Sequence, residues 1–249
     1  MIPLPPDEVH VWTASRHAPD DAAVGGFRDL LTDDERRRAD RFVSAVDRRQ
    51  FAVGRGLLRT ILGRYLGRPP GGLRFVANAH GKPGLDPASG VDPALRFNVS
   101  HSGSLALYAV ARGRELGVDI ERIRPEFGGQ AIAARFFAPG EVDALLALPP
   151  ESRTLAFFHG WTRKEAYIKA QGKGLALPLD EFEVSLAPDR PAALLATSPD
   201  PAEAGRWSLV GLPTEPGYAA AACVEGFGWK LKRGMWSAGD GLMTAGQPA

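Results

Sequence analysis

A glutamate and a lysine one helical turn apart, Glu165 and Lys169, are the first residues of this sequence whose spacing suggests chemistry. Phe158, Trp161 and Ile168 recur around them at helical spacing, which predicts a helix with one apolar face. Glu165 lies four residues after Trp161 and three before Ile168, so it is on that apolar face. A carboxylate there needs a cation or a hydrogen-bond network, and Lys169 can reach it. On this helix alone an exposed Glu–Lys pair, worth only about 0.2–0.5 kcal/mol, stays an open alternative.

Two further carboxylates lie in residues 117–121 (Gly-Val-Asp-Ile-Glu), which are predicted to form a strand. Because side chains alternate along a strand, Asp119 and Glu121 share one face while the residues between them face the core. Together with Glu165 they make an all-oxygen donor set, which favours Mg²⁺ completed by water and phosphate oxygens. An Asp-x-Glu pair alone is usually a solvated strand face, so the prediction depends on the third carboxylate.

Basic and polar side chains that could hold phosphate groups are spread over other segments. They are Arg38, Arg55, the turn residue Lys82, and the strand residues Ser100 and His101. Residues 98–102 (Asn-Val-Ser-His-Ser) also offer backbone N–H groups. Carboxylates for a metal ion beside scattered cations suit a pyrophosphate ligand. Taken singly, each residue fits a structural role better: Lys82 suits an ordinary turn, and a lone histidine is usually a core or surface residue.

Two long helical segments, residues 47–66 and 151–171, organise the chain around these side chains. Each follows a short helix that contains a glutamate near its start, Glu35 or Glu141, and these glutamates are 106 residues apart. The same offset aligns Arg59 with Glu165.

This internal repeat predicts a duplicated α+β unit with a site at the seam between the halves. We therefore predict an α+β fold built as a pseudo-dimer, each half a small antiparallel sheet packed with a long helix. The predicted boundaries are 1–116 for the first half and 117–227 for the second. A tail over 228–249 is rich in glycine, and we expect it to be ordered only in part.

Composition excludes several classes of protein. The 249 residues, 44% hydrophobic and 24% charged, suit one large or two small globular domains. With 30 basic and 29 acidic residues the net charge is +1, so nucleic acid is not an expected partner. Cys223 is the only cysteine, which excludes an intrachain disulfide and fits a reducing compartment. We see neither a signal peptide nor an apolar run near the ~20 residues that span a membrane, and expect a soluble, cytoplasmic protein.

Four motifs together resemble those of the 4′-phosphopantetheinyl transferases of the Sfp type. Residues 117–121 and the pattern Trp161-x-x-Lys164-Glu165-Ala166-x-x-Lys169 are similar to the two signature motifs of that family. Gly81-Lys82-Pro83 and residues 97–102 (Phe-Asn-Val-Ser-His-Ser) are similar to its two upstream motifs. Each motif alone is moderately specific, but all four occur in the expected order.

The resemblance implies an enzyme that moves the 4′-phosphopantetheine group of coenzyme A onto a serine of an apo acyl or peptidyl carrier protein. Adenosine 3′,5′-bisphosphate is left. By similarity, Asp119, Glu121 and Glu165 hold Mg²⁺ on the coenzyme A pyrophosphate. Glu165 also takes the proton of the carrier serine, and Lys169 stabilises or protonates the leaving phosphate. Lys82, with Gly81 in its turn, and Ser100, His101, Arg38 and Arg55 hold the phosphates of coenzyme A.

The resemblance also implies a pseudo-dimeric monomer that binds coenzyme A in the seam. It implies the broad-specificity subclass, which serves polyketide, nonribosomal peptide or fatty acid synthesis. The carrier surface is expected near the seam, between Arg124 and Phe137. Arginines 36–38 replace lysines that some members of the family carry, so the partners of the 3′-phosphate stay open.

Two other functions are alternatives. A kinase or nucleotidyl hydrolase lacks support, because the sequence has neither a Gly-x-x-x-x-Gly-Lys-Ser/Thr loop nor a kinase signature set. A non-catalytic coenzyme A or carrier-protein binding module is the alternative from a different class. The intact Glu165 and Lys169 and the complete set of three carboxylates argue against it.

Overall fold

A computed structural model describes residues 1–17, 20–127, 129–237 and 241–244. It contains two similar halves, each with one long helix and a three-stranded antiparallel unit. The helices are α1 (Asp21–Asp29), α2 (Asp33–Asp40), α3 (Ala45–Leu66), α4 (Gly129–Phe136), α5 (Pro139–Ala147) and α6 (Pro150–Gln171). The first strands are β1 (Glu8–Ser15), β2 (Phe75–Ala77), β3 (Pro83–Leu85), β4 (Leu95–Ser102), β5 (Leu105–Arg112) and β6 (Leu116–Arg122). The later ones are β7 (Phe182–Val184), β8 (Leu194–Thr197), β9 (Trp207–Gly211), β10 (Tyr218–Glu225), β11 (Lys230–Ser237) and β12 (Gly241–Thr244).

The predicted fold class is confirmed by the sheets. In the first half β1 pairs antiparallel with β5, and β5 with β4. In the second half β6 pairs antiparallel with β10, and β10 with β9. These three strands therefore have the same order in both halves, and each half contributes one long helix, α3 or α6. The exact boundary between the halves stays a prediction.

Three apolar clusters hold the layers together. One lies between α3 and the first sheet, and includes Trp12, Ile61 and Tyr108. A second lies between α6 and the second sheet. The third lies between the two sheets and is built by alternate residues of β5, β6 and β10. Burial of such apolar surface stabilises the protein by about 25 cal/mol per Å², so the third cluster helps to join the halves.

Both long helices end in the same way. Their closing residues Gly67 and Gly172 adopt left-handed conformations with φ of 62° and 68°, which glycine reaches without steric cost. Ser44 caps the start of α3, where its hydroxyl accepts from the N–H of Asp47. Pro150 occupies the first turn of α6, where its missing N–H costs nothing.

The bounds of the helices correct the predicted register of the duplication. α6 begins and ends 105 residues after α3, whereas the capping glutamates are 106 residues apart. Arg59 therefore corresponds to Lys164 and not to Glu165. Sparse identity between the halves could not reveal that the capping glutamate and the start of the long helix are one residue closer in the second half than in the first.

In the corrected register, two buried ion pairs occupy equivalent positions in the two halves. Arg59 is 1% exposed and its Nη2 lies 2.7 Å from Glu35 Oε2. Lys164 is fully buried and its Nζ lies 2.6 Å from Glu141 Oε2. Each cation also donates to two backbone carbonyls, so both charges are satisfied inside the protein. The lysine of the Trp-x-x-Lys-Glu motif is thus a structural residue that anchors α6.

Residues beyond Phe227 extend the first sheet. β11 pairs in parallel with β1, from Glu8 opposite Lys230 to Thr13 opposite Met235. Trp236 packs edge-on against Trp12, with ring centroids 6.2 Å apart. The sequence pattern does not reveal this strand, because its partner lies at the other end of the chain. The predicted tail also includes residues outside the described part of the chain.

Two smaller findings complete the fold. α1 was not predicted, although Asp20 caps it by accepting from the N–H of Ala23. Across the described residues, none of the helices combines the length and the hydropathy needed to cross a lipid bilayer.

Candidate active site

The close approach of β6 to α6 places the predicted carboxylates beside Lys169. Gly117 makes this approach possible: a Cβ atom there would lie 2.1 Å from the carbonyl oxygen of Ala166 and 2.3 Å from the amide nitrogen of Ala170. No side chain fits at such distances. The glycine that opens the Gly-Val-Asp-Ile-Glu motif therefore lets the strand lie directly on the helix.

Asp119 and Lys169 meet at the centre of the site. Lys169 Nζ donates to Asp119 Oδ1 at 2.6 Å and to Ser100 Oγ at 3.0 Å. Ser100 Oγ in turn donates to Asp119 Oδ1 at 2.7 Å. The Asp119 side chain is only 4% exposed. A strand of the first half and a strand and a helix of the second half thus contribute one side chain each.

Glu121 lies one strand period further along β6 and has its own partner. Ser102 Oγ donates to Glu121 Oε2 at 2.7 Å. The predicted alternation is correct, since Asp119 and Glu121 lie on the α6 side of β6 while Val118 and Ile120 belong to the cluster between the sheets.

β4 and β6 are joined by side chains at this seam. Three backbone N–H groups of β6 donate to alternate side chains of β4: Val118 to Asn98 Oδ1 at 3.0 Å, Ile120 to Ser100 Oγ at 3.3 Å and Arg122 to Ser102 Oγ at 3.0 Å. Ser100 and Ser102 therefore accept from the backbone of β6 while they donate to its carboxylates. The polar segment 98–102 fixes the first half against the acidic strand of the second.

Glu165 is coupled to the same groups through charge. Burial raises its pKa, the negative charges of Asp119 and Glu121 raise it further, and the positive charge of Lys169 opposes them. Burial also raises the pKa of Asp119, against the effect of Lys169. The pKa of Glu121 is likewise raised, mainly by burial. Lys169, with Arg124 acting on Glu121, thus opposes three carboxylates, and the site keeps an excess of negative charge that a further cation would relieve.

The donor set suits a hard cation, although it is not a closed cage. Asp119 Oδ2 is buried and has no hydrogen-bond partner. Yet within the described ranges no three His, Cys, Asp or Glu side chains are arranged so that they could hold a metal by themselves. Asp119 and Glu121 are instead bonded to Lys169 and Ser102. Such oxygen donors fit Mg²⁺, which takes a few carboxylates and completes its shell with water and substrate phosphates.

A basic cleft of about 410 Å³ lies between α3 and β4, the strand that also carries Ser100. Its lining includes the predicted residues Arg38, Arg55 and His101, and it also includes Arg16. Desolvation, followed by the positive charge of Arg16, lowers the pKa of His101. Three arginines against one aspartate, Asp47, make the lining suitable for phosphate groups.

The arginines of the cleft are partly held by aromatic rings. The Arg38 guanidinium lies over the ring of Phe51, 5.3 Å from its centroid. The Arg55 guanidinium lies 4.1 Å from the centroid of the Phe75 ring and also pairs with Glu35. These contacts orient both cations at the wall of the cleft.

Lys82 is not brought to the carboxylates or to the basic cleft. Its Nζ donates to Glu115 Oε2 at 2.8 Å and to the carbonyl oxygens of Leu116 and Ala170. Gly81 lies in the same turn with φ of 87°. Of the three motif residues Gly81, Lys82 and Pro83, only Pro83 lines the cleft. A phosphate-binding role for Lys82 and Gly81 stays a prediction that these contacts do not favour.

Some residues of the site were missed by the sequence analysis. Arg16 follows β1 and has no motif around it, and its Nε is buried without a hydrogen-bond partner. Ser102 lies within a motif that was recognised, but only the register of β4 against β6 reveals its contact with Glu121. Gly117 could have been singled out, since a glycine inside a strand often marks a close approach of backbone.

Three carboxylates and a lysine beside an arginine-rich cleft, at the seam of two α+β repeats, are the arrangement expected of an enzyme that acts on phosphate esters. Comparison with known proteins gives the particular family. A family model described as the 4′-phosphopantetheinyl transferase superfamily matches residues 115–223. Another, described as the N-terminal part of 4′-phosphopantetheinyl transferase, matches residues 15–112.

Individual relatives agree with these matches. The 4′-phosphopantetheinyl transferase HetI of Nostoc sp. (strain PCC 7120) is 42% identical over 237 residues, which cover 93% of this chain and 96% of HetI. The 4′-phosphopantetheinyl transferase Sfp of Bacillus subtilis (strain 168) is 32% identical over 199 residues, or 80% of this chain and 84% of Sfp. A solved structure described as the Chronobacterium ammoniagenes ACPS-CoA complex is 26% identical and covers 45% of this chain and 95% of that chain, with a TM-score of 0.33. The chain belongs to the 4′-phosphopantetheinyl transferase family and is an enzyme of that class, as the motifs predicted.

Proposed function

We propose that this enzyme transfers the 4′-phosphopantetheine group of coenzyme A to a serine of an apo acyl or peptidyl carrier protein, with the three carboxylates and Lys169 as its reaction centre. The observation that carries the proposal is the contact of Lys169 with Asp119 and Ser100, at 2.6 and 3.0 Å, within the electrostatic influence of Glu165. The strand that carries Ser100 also supplies His101 to the basic cleft. A cation and a set of carboxylates in one buried place can neutralise a pyrophosphate and handle a proton at the same time.

In the proposed reaction the serine hydroxyl of the carrier attacks the β-phosphorus of coenzyme A. The new bond joins the serine oxygen to that phosphorus, and the bond from it to the bridging oxygen of the α-phosphate breaks. Glu165 accepts the serine proton, for which a raised pKa makes it a better base. Lys169 stabilises or protonates the phosphate of the departing adenosine 3′,5′-bisphosphate.

The basic cleft supports a place for the phosphates of coenzyme A. Arg38, Arg55 and His101 line it, as proposed from the motifs, and Arg16 adds a third guanidinium. Ser100, the neighbour of His101, contacts both Lys169 and Asp119 through its hydroxyl, so β4 contributes to the cleft and to the carboxylate cluster. The 3′-phosphate partners that the sequence left open are therefore proposed to include Arg16.

Mg²⁺ is the proposed metal, held by Asp119, Glu121 and Glu165. When bound there it would neutralise charge on the pyrophosphate. The buried and unpartnered Oδ2 of Asp119 supports this assignment, as does the excess of negative charge around Lys169. We further propose that the enzyme acts as a cytoplasmic monomer for polyketide, nonribosomal peptide or fatty acid synthesis.

The test is intact-mass spectrometry of an apo carrier protein incubated with the enzyme, coenzyme A and Mg²⁺. The carrier should gain one phosphopantetheine, and EDTA should abolish the gain. Glu165→Gln should lose transfer while its thermal unfolding stays close to that of the wild type, because the base and a metal ligand are lost together. Near-wild-type turnover by that variant would remove Glu165 from the mechanism. Binding of coenzyme A without transfer to any acyl or peptidyl carrier would favour the binding module instead.

A further inference from the structure

The turn between β2 and β3 in the first half holds the end of α6 in the second half. Lys82 Nζ donates to the carbonyl oxygen of Ala170 at 3.1 Å, to that of Leu116 at 3.2 Å and to Glu115 Oε2 at 2.8 Å. The Lys82 side chain is 15% exposed. One ammonium group therefore joins the last turn of α6 to the first residue of β6.

Asn78, at the start of the same turn, makes a second bond across the seam. Its Nδ2 donates to the carbonyl oxygen of Gly172 at 2.8 Å. Its Oδ1 accepts from the backbone N–H groups of His80 and Lys82, both at 2.9 Å, and so shapes the turn itself. The turn is thus rigidly folded around Asn78 and presents two donors to the helix.

These contacts answer a requirement that every helix end has. The last four carbonyl groups of an α-helix have no partner within the helix, and a positive charge near them is stabilising. Ala170 and the closing residue Gly172 are two of the residues whose carbonyls lie at this end of α6. The first half supplies an amide and an ammonium group to them. Burial alone would raise the pKa of Glu115, but Lys82 and Arg96 together lower it, which is consistent with a persistent Lys82–Glu115 pair.

We propose that the segment Asn78–Lys82 is a cap for α6 that is donated by the other half, and that Lys82 is a positioning residue for Lys169. Lys169 directly precedes Ala170, and its ammonium group must reach Asp119 on β6. Because Lys82 holds both Ala170 and the start of β6, it sets the distance between the two elements that carry this pair. The proposal rests on the proposed function of Lys169. It replaces the expected role of Lys82 as a ligand for coenzyme A phosphate.

The two roles predict opposite kinetics for Lys82→Met, which removes the ammonium group and keeps most of the stem. A positioning residue lowers kcat by about 10-fold or more and leaves the KM for coenzyme A within about twofold. A phosphate ligand that binds ground state and transition state alike would raise that KM and spare kcat. The second pattern would overturn the proposal.

A structural readout separates this proposal from the proposed function. Hydrogen exchange followed by mass spectrometry should show faster exchange over residues 163–172 in Lys82→Met than in the wild type. Unchanged exchange there would refute the cap, whether or not the enzyme transfers phosphopantetheine. If the wild type shows no transfer at all, the proposed function fails while the exchange result still decides the cap.

Two variants sharpen the experiment. Lys173→Met makes the same substitution at an exposed lysine just beyond α6, so kcat, KM and exchange should stay at wild-type values. Asn78→Asp keeps the acceptor for the turn, loses the bond to Gly172 and places a negative charge at the helix end. It should reproduce the faster exchange and the lower kcat, and it serves as the test if Lys82→Met does not fold. Wild-type exchange in Asn78→Asp would contradict the cap.

Discussion

Gly117→Ala should separate the acidic strand from the helix that carries Lys169. The new Cβ atom would lie 2.1 Å from the carbonyl oxygen of Ala166 and 2.3 Å from the amide nitrogen of Ala170. Both are backbone atoms in the last two turns of α6, so no side chain can rotate away to make room. Either the strand or the helix has to move.

The size of the movement follows from these distances. To bring the closest contact to about 3 Å, the shortest separation that proteins tolerate, β6 and α6 have to part by about 1 Å. The Lys169–Asp119 bond, now 2.6 Å, would then lengthen to about 3.6 Å, which is no longer a hydrogen bond. Overpacking of this kind costs about 1–3 kcal/mol of stability. A misplacement of about 1 Å in a reaction centre can cost about 100-fold in rate.

The assay measures both consequences. We expect the midpoint of thermal unfolding to fall by about 2–4 °C for each kcal/mol lost. We expect kcat for carrier modification to fall by about 100-fold. Gly211→Ala is the control, since it also puts a methyl group on a strand glycine, but nothing lies within 4 Å of the new atom. A Gly117→Ala enzyme with wild-type stability and a kcat within about twofold of wild type would refute the reasoning.

Two other predictions concern the carboxylates. Ser102→Ala removes the 2.7 Å hydrogen bond to Glu121. Affinity for Mn²⁺, measured by electron paramagnetic resonance with coenzyme A present, should therefore fall by about 10-fold in Ser102→Ala and recover in Ser102→Thr. An unchanged affinity would show that the hydroxyl does not orient Glu121. Burial raises the pKa values of Asp119 and Glu165 above their ordinary 3.8 and 4.5, so the folded protein binds protons more tightly than the unfolded chain. Their contribution to metal-free stability is therefore present at low pH and lost as pH rises through the folded-state values, and protons should compete with the metal. The Mg²⁺ concentration that gives half of the maximal stabilisation in thermal unfolding should accordingly rise as pH falls from about 8 towards 5, and a pH-independent value would contradict this coupling.

Local patterns of the sequence predicted the elements of the site better than their contacts. Strand alternation correctly put Asp119 and Glu121 on one face, and helical spacing put Glu165 and Lys169 on one side of α6. These patterns describe a few residues at a time. Neither could show that Ser102 of another strand donates to Glu121, because that contact depends on the register of β4 against β6.

The role of a charged residue was harder still to predict from its type. Lys82 and Lys164 are both lysines in recognised motifs, and both turn out to donate to backbone carbonyls within the protein. A sequence shows that a cation is present, but not whether an acceptor inside the fold already occupies it. Lys169 differs because its acceptors, Asp119 and Ser100, are side chains and not backbone carbonyls.

The two repeats differ at equivalent positions of their sheets. β5 and β10 hold equivalent places in their sheets and are both eight residues long. In the first sheet Trp12 is opposite Tyr108, and in the second Asp119 is opposite Ala221.

By the same register Asp119 occupies the position of Trp12, and the small Ala221 replaces Tyr108. The first repeat fills the space between sheet and helix with aromatic rings. At the position equivalent to Trp12 the second repeat has Asp119 and the lysine that pairs with it, while Gly117 brings the helix close enough for the pair to form. At this position the duplicated scaffold thus has an aromatic ring in one repeat and, in the other, a buried carboxylate whose charge Lys169 balances.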